Sequence, residues 1–465
     1  MLTHLRIKNF KAWSDTGDVR LAPLTVLFGT NSSGKSSVGH LLLALKQTVL
    51  STDRKRALHL GDTNSLIDLG TFADCVNGHD LGKTLEFQLR WRVPGAKTVR
   101  NALNRAQSYS GDELELGAQL IANKAQQPET DEFRYKLLQQ GAQALEVVHT
   151  RKASGGDLTC KPLRLVHAQG RKWPAEAPEK FYRFTDRTLL RYQNADFLAE
   201  FALETERLFN QFYYLGPLRS HPKRVYQWSG DTPPDVGPQG ESAIAALLSA
   251  KQEGRSLNRG HRLHKQPFDA FIAGWLKQMG VIADFDVKPV AKDRKEYEVL
   301  VRTHAGSAQV KLTDVGFGVS QVLPALVQAF YAPADSIVWM EQPEIHLHPQ
   351  VQSNLADAFI CAVQAWEGGK PRGMQLIVES HSEHFLTRLQ RRIAEGSIGK
   401  DDVAVYFVSR ADPQARLEPL VLNDYGEVEN WPDNFFGDEM ADVAARVRAA
   451  MERHRNAPAS NSEVK

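Results

Sequence analysis

The sequence carries almost no net charge, because 57 Lys and Arg residues are balanced by 55 Asp and Glu residues to leave +2. That balance argues against a polybasic protein held to nucleic acid by bulk charge, and leaves DNA contact only to a local basic patch. The sequence also lacks any run near the ~20 apolar residues that a bilayer span needs, and it lacks the apolar core of a secretory signal. We therefore expect no membrane partner.

Cysteine is scarce as well. Cys75, Cys160 and Cys361 are odd in number and widely spaced, so they form neither a disulfide framework nor a zinc-binding pattern. A reducing cytoplasm is the expected location. Internal repeats and sustained heptads are also missing from the sequence, which argues against a long coiled coil.

What is present is an ordinary folded composition of 465 residues, with 42% hydrophobic and 24% charged residues. At ~150 residues per domain, this length corresponds to roughly three domains or to one large domain with insertions. Three apolar stretches, 336–340, 374–378 and 403–408, lack polar alternation and are separated by stretches of helical spacing. Such strands are typical of a parallel sheet covered on both faces, so we predict an α/β fold.

A glycine-rich segment lies between an apolar strand at 24–28 and a stretch of helical spacing. It fits the pattern G-x-x-x-x-G-K-[ST], in which small residues let successive backbone N–H groups surround phosphates. Lys35 can reach the β- and γ-phosphate oxygens, and Ser36 can ligate Mg²⁺. Because a strand and a helix flank the segment, a chance turn is the weaker interpretation. The predicted nucleotide-binding residues are Gly29, Asn31, Ser32, Ser33, Gly34, Lys35, Ser36 and Ser37.

Two of the apolar strands end in residues suited to the same site. The strand at 336–340 is followed by Glu341, and a carboxylate at the end of a buried strand can organise Mg²⁺ and water in P-loop ATPases. The strand at 374–378 is followed by Glu379 and His381, and this histidine can contact the γ-phosphate and sense its loss. The alternatives are an ordinary polar turn after the first strand and a turn or core histidine after the second.

A further glycine-containing segment, with Gly316, Gly318 and Ser320, opens another stretch of helical spacing. Glycines at a helix N-terminus leave an anion-binding end. Since a chain with one phosphate loop has little use for a second in the same site, we predict that this segment caps the γ-phosphate bound by another subunit. A plain helix start fits the pattern equally well.

Two clusters of charged residues leave alternatives open. The histidine cluster comprises His346, His348, His381, Glu383 and His384, and the arginine cluster comprises Arg388, Arg391 and Arg392. The histidine cluster could bind a transition metal, although loops lying side by side around a nucleotide are the preferred interpretation. For the arginine cluster, a solvated helix face is preferred over binding of DNA phosphates. Arg219 is a candidate for a phosphate contact or a subunit interface, with a structural ion pair as the alternative.

The order of these motifs resembles that of the ABC-type ATPase heads of the SMC, RecF and OLD (overcoming lysogenization defect) proteins. The segments LRIKNFKAW…LAPLTVLFGTNSSGKSS, GFGVSQVLP, EQPEIHLHP and ESHSEHFL are similar to their start, signature, Walker B with D-loop, and switch-histidine segments. More narrowly, the chain is similar to bacterial AAA-family ATPases with a Gly-Pro-Leu-Arg element, here 216–219, and a C-terminal G-x-[IV]-x-x-[WF]-P-x-x-F-F segment, here 426–436.

The resemblance implies ATP and Mg²⁺ as cofactors and a role for each matching residue. Lys35 would bind phosphates, and Ser36 and Glu341 would serve the metal, with Glu341 at the Walker B position. His381 matches the switch histidine. His348 occupies the position of the D-loop aspartate.

Two positions depart from the family pattern. Gln342 stands where the catalytic glutamate is usual, and glutamine can orient water but cannot accept its proton. Either Glu344 supplies the base, or hydrolysis is slow and the ATP-bound dimer is long-lived. Gly316, which with Gly318 belongs to the implied signature that closes on the partner's ATP, stands at the usual serine position. The backbone and helix dipole would therefore replace a hydroxyl there.

We predict an ABC/SMC-type P-loop ATPase head, an α/β fold with a mixed sheet and flanking helices, split by a helical and small β insertion. Residues 1–97 would form the N-terminal part of the head, 98–212 the insertion, and 213–440 the C-terminal part. Residues 441–465 would form a C-terminal helix and a disordered tail. Within the insertion, the polar, Gln- and Ala-rich stretch 98–145 is predicted to be partly helical.

The predicted function is that of an ATP-hydrolysing switch in which two ATPs are sandwiched between two copies of the head. Too few residues follow Phe407 for a nuclease domain, so a separately encoded, nuclease-like effector in phage defence or DNA repair is the expected partner. Gln342 motivates a non-hydrolysing ATP-bound scaffold as an alternative. The ATP subunit of a transporter is disfavoured, since an LSGGQ-like signature and an Asp-Glu Walker B pair are missing.

Overall fold

The computed structural model describes residues 1–101, 104, 106–170, 172–411, 414–432 and 445–451. The chain begins with β1 (Leu2–Phe10), β2 (Trp13–Asp15), β3 (Val19–Arg20), β4 (Leu24–Gly29), α1 (Lys35–Leu50) and α2 (Phe72–Cys75). Five long strands follow: β5 (Leu85–Arg100), β6 (Ser108–Ala122), β7 (Pro128–Gln139), β8 (Ala142–Lys152) and β9 (Gly155–Lys161). Next come α3 (Asp186–Leu190) and α4 (Asp196–Asn210).

The remainder of the described chain alternates between strands and helices. It contains β10 (Phe212–Leu215), β11 (Tyr226–Gln227), α5 (Ala243–Gln252), β12 (Ser256–Asn258), β13 (Lys265–Pro267), α6 (Phe268–Gln278), β14 (Asp284–Pro289), β15 (Glu296–Arg302) and β16 (Val310–Lys311). It continues with α7 (Phe317–Tyr331), β17 (Ile337–Glu341), α8 (Pro349–Gln364), β18 (Trp366–Glu367), β19 (Lys370–Pro371), β20 (Gln375–Glu379), α9 (Glu383–Ala394), β21 (Val403–Ala411) and β22 (Gln414–Leu420).

A six-stranded sheet in the order β10-β17-β20-β4-β21-β22 forms the centre of the fold. Its first five strands are parallel, and β22 joins antiparallel at one edge. Trp339 and Ile377 belong to the hydrophobic layer that includes α1 and α4, whereas Val338 and Val378 belong to the layer that includes α5 to α9. The sheet is therefore covered on both faces, which confirms the predicted α/β class.

An eight-stranded antiparallel sheet, in the order β2-β1-β5-β6-β7-β8-β9 with β3 beside β1, forms the second large layer. The prediction of helix within 98–145 is wrong, because this stretch lies in β5 to β8 wherever it is regular. Phe133, Tyr135 and Leu137 are buried at every second position, which is the period of a strand. The predicted boundary between 97 and 98 falls inside β5, and β5 pairs with β1.

The predicted insertion is therefore mainly a continuation of the N-terminal sheet, and α3 and α4 are its helices in the described residues. The helix expected at the glycine-containing segment is confirmed as α7, and the helices expected between the apolar strands are confirmed as α8 and α9. At the C-terminus, 445–451 is helical, whereas 441–444, 452–465, Phe435 and Phe436 lie outside the described residues. Within the described part of the chain, no helix is both long enough and apolar enough to cross a bilayer.

Close packing around two glycines brings the phosphate-loop elements against neighbouring strands. A Cβ on Gly39 of α1 would lie 2.3 Å from the Trp339 side chain of β17. A Cβ on Gly29, at the end of β4, would lie 2.1 Å from the Val408 carbonyl oxygen of β21. Only glycine fits at either position. These contacts fix α1 against β17, which ends in Glu341, and fix the end of β4 against β21.

Candidate active site

The glycine-rich segment forms a loop between β4 and α1. Gly34 is the N-cap of α1, has φ 107, and provides no side-chain cap for the first turn. The indole Nε1 of Trp13 donates to the Gly34 carbonyl oxygen at 3.1 Å, which ties the loop to β2. Asn31 and Ser32 are exposed, whereas Ser33 is buried. The first-turn N–H groups of α1 thus form the helix end at which an anion binds most readily.

Lys35 is the first residue of α1, and only 3% of it is exposed. Its Nζ donates to the carbonyl oxygens of Gly29 at 3.0 Å and Thr30 at 2.8 Å. Burial lowers the pKa of Lys35, while the charges of Glu379 and Glu344 oppose that shift. Because neutral carbonyls hold the ammonium, it can turn to phosphate oxygens without breaking an ion pair.

The carboxylate closest to Ser36, in the first turn of α1, is that of Glu379. Ser36 Oγ donates to Glu379 Oε1 at 3.0 Å. This contact follows from sheet order, since β20 pairs directly with β4 and β17 lies one strand further away. From the sequence, Ser36 and Glu341 were predicted to serve Mg²⁺ together. In the structure, the carboxylate that is hydrogen-bonded to Ser36 is Glu379. Burial raises the pKa of Glu379, and hydrogen bonding by Ser36 and the charge of Lys35 counteract the shift.

Glu341 ends the neighbouring strand β17 and is buried near Glu379. Burial and the Glu379 charge raise the pKa of Glu341 to about 7. The Tyr214 hydroxyl donates to Glu341 Oε1 at 3.2 Å, and His40 Nε2 of α1 lies 3.9 Å from the same oxygen. Two carboxylates at the same sheet edge, both with raised pKa, create a position that favours a bound cation.

Glu344 reaches the loop that follows β20. Its Oε1 accepts hydrogen bonds from Ser380 Oγ at 2.8 Å and from the His381 backbone N–H at 2.7 Å. Its Oε2 is buried and has no hydrogen-bond partner among the described residues. Burial raises the pKa of Glu344. Gln342, at φ 44, donates its backbone N–H to the Glu379 carbonyl oxygen at 2.8 Å and so joins the two strand ends.

The two predicted histidines lie in the same loops but differ in setting. His381 has an accessible side chain, yet desolvation and the nearby Lys35 charge lower its pKa to about 4, so its imidazole is neutral at physiological pH. His348 is the N-cap of α8, and its Nδ1 accepts from the Gln350 backbone N–H at 3.3 Å. In the described ranges, no group of three or more His, Cys, Asp or Glu side chains is arranged to hold a metal ion, the histidine cluster included.

The predicted signature segment forms the start of α7. Gly316 is an exposed N-cap without a side-chain cap, and Gly318 lies in the first turn. Ser320 is buried, with 5% exposure. The segment therefore presents backbone groups at the surface, and its role toward a second subunit stays a prediction.

Several residues of the site were not identified from the sequence. Glu379 was visible at the end of an apolar strand, but its partner Ser36 could not be recognised without the strand order. A cavity of about 430 Å³ beside Ser32 and Ser33 is lined by Lys11 and Arg410, among others. Its volume falls in the range of ligand pockets.

Arginines expected at surfaces have partners within the chain. Arg388 and Arg392 of α9 both pair with Asp357 of α8, at 2.5 and 2.7 Å, so they join the two helices. Arg391 pairs with Glu395 at 2.7 Å. Arg219 is only 8% exposed, and its role at a phosphate or a subunit interface stays a prediction.

The C-terminal half of the chain is similar to two protein families. The segment 268–386 is similar to the AAA ATPase domain family. It runs from the start of α6 into α9 and includes Glu341, Glu344 and His381. Residues 398–445 match a family described as a protein of unknown function (DUF3696). No curated protein is similar enough to be matched to the chain.

Solved SMC heads resemble the chain at low identity. One is the SmcHead bound to the C-winged helix domain of ScpA, with 11% identity, a TM-score of 0.40, and coverage of 90% of this chain and 98% of that chain. Another is the SMC head domain from Thermotoga maritima, with 10% identity, a TM-score of 0.39, and coverage of 90% and 99%. At TM-scores this low, the likeness carries no argument about the site.

Proposed function

We propose that the chain is a Mg²⁺-dependent ATPase. The observation that carries the proposal is the Ser36–Glu379 hydrogen bond directly beside the buried Lys35 of the phosphate loop. A serine hydroxyl and a carboxylate are the hard oxygen ligands that Mg²⁺ takes together with phosphate oxygens. When bound, Mg²⁺ would neutralise phosphate charge. The α1 N-terminus and Lys35 would hold the phosphates, and the cavity beside Ser32 would receive the rest of the nucleotide.

Glu344 is the proposed general base. Its Oε1 is fixed by two donors, Oε2 is unpaired within the described chain, and its pKa is raised. A carboxylate with a raised pKa accepts a proton from water more readily than an ordinary one. Gln342 would orient water without taking its proton, which assigns the base to the residue two positions further on.

A dimeric switch is the proposed mode of action. The exposed, uncapped start of α7 at Gly316 supports closure on the ATP of a second copy, because an uncapped helix N-terminus attracts anions. Binding would favour the closed dimer, and hydrolysis would release it. The resemblance of the motifs supports a separately encoded, nuclease-like effector in phage defence or DNA repair, acting in the cytoplasm. A DNA contact would have to come from a local basic patch.

ATP turnover tests this function and the metal assignment. We expect Lys35→Ala to abolish Mg²⁺-dependent phosphate release. Glu379→Gln should raise the Mg²⁺ concentration needed for half-maximal turnover by roughly 10- to 100-fold, as loss of a metal-site partner does. Lys400→Ala, at an exposed ion pair with Asp424, is the matched control and should match the wild type.

Wild-type turnover no higher than that of Lys35→Ala would exclude the hydrolytic function. If such a chain still bound ATP and dimerised with Mg²⁺, the scaffold suggested by Gln342 would be the correct alternative. If Glu341→Gln changed the Mg²⁺ requirement and Glu379→Gln left it unchanged, Glu341 would be the metal-site carboxylate, as predicted from the sequence.

A further inference from the structure

Arg219 is a buried cation that the proposed function leaves unexplained. It ends the Gly-Pro-Leu-Arg segment that follows β10, and 8% of it is exposed. Its Nη2 donates to the Glu341 carbonyl oxygen at 3.4 Å, a long contact. Nε and Nη1 are buried and find no hydrogen-bond partner in the part of the chain that the structure describes. Unmatched buried donors on a charged group are costly, so an acceptor belongs beside them.

In the described chain, one carboxylate oxygen of Glu344 lacks a hydrogen-bond donor, whereas two nitrogens of Arg219 lack acceptors. Its Oε2 is a buried acceptor without a donor among the described residues, while Oε1 is held by the loop after β20. Burial lowers the pKa of Arg219 to about 10, and the charge of Glu344 is among those of three neighbouring groups that oppose this shift. A molecule that accepts from Arg219 and donates to Glu344 would satisfy both groups, and water is the smallest that does so.

Hydrogen bonds fix the backbone on both sides of Arg219, and before it the Gly216 N–H donates to the Pro238 carbonyl oxygen at 2.7 Å. The Ser220 N–H donates to the Gln239 carbonyl oxygen at 2.8 Å. Gly240, which follows Gln239 in the chain, packs tightly on α7, because a Cβ at this position would lie 2.4 Å from Pro324 Cβ. Arg219 therefore lies between Gly240, which packs on α7, and the Glu341 carbonyl oxygen at the end of β17.

We propose that Arg219 and Glu344 bind one buried water between the guanidinium and Oε2, and that this water attacks the γ-phosphate. This inference rests on the proposed ATPase function. One lone pair of the water accepts from Arg219, and the other forms the bond to the γ-phosphorus. The bond between that phosphorus and the bridging oxygen breaks, its electron pair leaves with ADP, and the water proton passes to Glu344. Arg219 is thus a positioning residue that acts through water.

Kinetics of paired variants test the inference. Arg219→Met should lower kcat on the order of 100-fold, because the reacting water loses a hydrogen-bond donor. The ATP affinity should stay within about threefold of the wild-type value, because no contact to phosphate is lost. Glu344→Gln should have a similar effect. The double variant should be no more than about threefold slower than the slower single variant, since both residues act on one water. Arg219→Lys should recover part of the rate, and Arg187→Met, at an 81% exposed side chain, is the matched control.

Three kinetic results would overturn the inference: an unchanged kcat in Arg219→Met, additive losses in the double variant, or an ATP affinity lowered more than about tenfold, which would mean a direct phosphate contact. A crystal structure of the wild-type chain supplies a readout independent of activity. Density for one water within hydrogen-bond distance of both side chains supports the site, whereas a direct Arg219–Glu344 ion pair excludes it. Wild-type turnover equal to that of Lys35→Ala would instead overturn the proposed ATPase and, with it, the attacking role of the water.

Discussion

Buried glutamates have opposite surroundings in the two large sheets. In the antiparallel sheet, Glu115 on β6 lies opposite Arg90 on β5 and Lys136 on β7. Both cations donate to it at 2.8 Å, and although burial acts to raise its pKa, these hydrogen bonds leave the pKa lowered. In the parallel sheet, burial raises the pKa of Glu341 and Glu379. One sheet neutralises its buried carboxylate, and the other leaves two of them undercompensated.

The different surroundings of these buried glutamates indicate different roles for the two sheets, one structural and one in binding a ligand. Cross-strand charge pairs stabilise a sheet, and the antiparallel sheet uses its buried carboxylate in that way. The parallel strands β4, β17 and β20 all end at one edge, which is where open α/β sheets bind ligands. Undercompensated carboxylates at that edge are therefore expected to meet a cation that the chain does not provide.

The largest expected effect tests whether the antiparallel sheet is support alone. Phe133 of β7 is fully buried and stacks edge-on against Tyr135, His149 and Phe184. Phe133→Ala should lower the free energy of unfolding by about 3–5 kcal/mol, as for other large-to-small changes in a core. Urea unfolding measures this. Leu190→Ala, at a 78% exposed side chain, is the control and should change stability by less than about 0.5 kcal/mol.

ATP affinity of Phe133→Ala, measured at a temperature where the variant is folded, sharpens the comparison. We expect it to equal the wild-type value, since β7 carries no residue of the candidate site and is separated from β2, whose Trp13 contacts the phosphate loop, by three strands of the sheet. A large loss of ATP affinity in the folded variant would show that the antiparallel sheet shapes the site as well as supporting it.

Much of the parallel sheet was predictable because its strands have a simple signal. The apolar runs that became β17, β20 and β21 lack polar alternation, and buried parallel strands require that composition. The stretch 98–145 misled because Gln and Ala favour helices locally. Its alternating burial, with Phe133, Tyr135 and Leu137 inward, is decided by pairing with distant strands. Tertiary pairing outweighed local propensity there.

The candidate site could be proposed from the sequence as a set of residues and not as a set of contacts. The phosphate loop is a local motif whose strand, loop and helix are consecutive, so its geometry follows from the sequence. The carboxylate that meets Ser36 depends on which strand lies beside β4, and chain order does not reveal that β20 comes between β4 and β17. The burial of Arg219 likewise depends on packing between segments far apart in the chain.

An intermediate effect tests the undercompensated carboxylates. The pKa of Glu341 is about 7 in the folded chain against an ordinary value of 4.5, so the folded state holds the proton more tightly than the unfolded state. Stability should therefore fall as pH rises from about 4.5 to about 7. Glu341→Gln removes this loss and should be more stable than the wild type by about 3 kcal/mol above pH 7, with little difference at pH 4.5.

Urea unfolding in EDTA at pH 4.5, 6 and 8 measures the difference between Glu341→Gln and the wild type. The control is Glu418→Gln on β22, at a partly exposed pair with Arg416. A stability gain that is the same at all three pH values would mean that the altered packing, and not the ionisation of Glu341, is responsible.

The smallest expected effect is a loss of stability in Glu115→Gln, in contrast to the gain expected for Glu341→Gln. Glu115→Gln leaves Arg90 and Lys136 facing a neutral amide, and should lower the free energy of unfolding by about 2 kcal/mol at pH 7, as for hydrogen bonds to charged groups. The pKa of Glu115 is lowered, so its contribution is present above the ordinary value and is lost as pH falls through the folded-state value. The same unfolding series should show the deficit shrinking toward acid pH, while ATP turnover stays at the wild-type rate. A changed turnover would place this carboxylate in the chemistry, and a pH profile parallel to that of Glu341→Gln would remove the physical distinction between the two sheets.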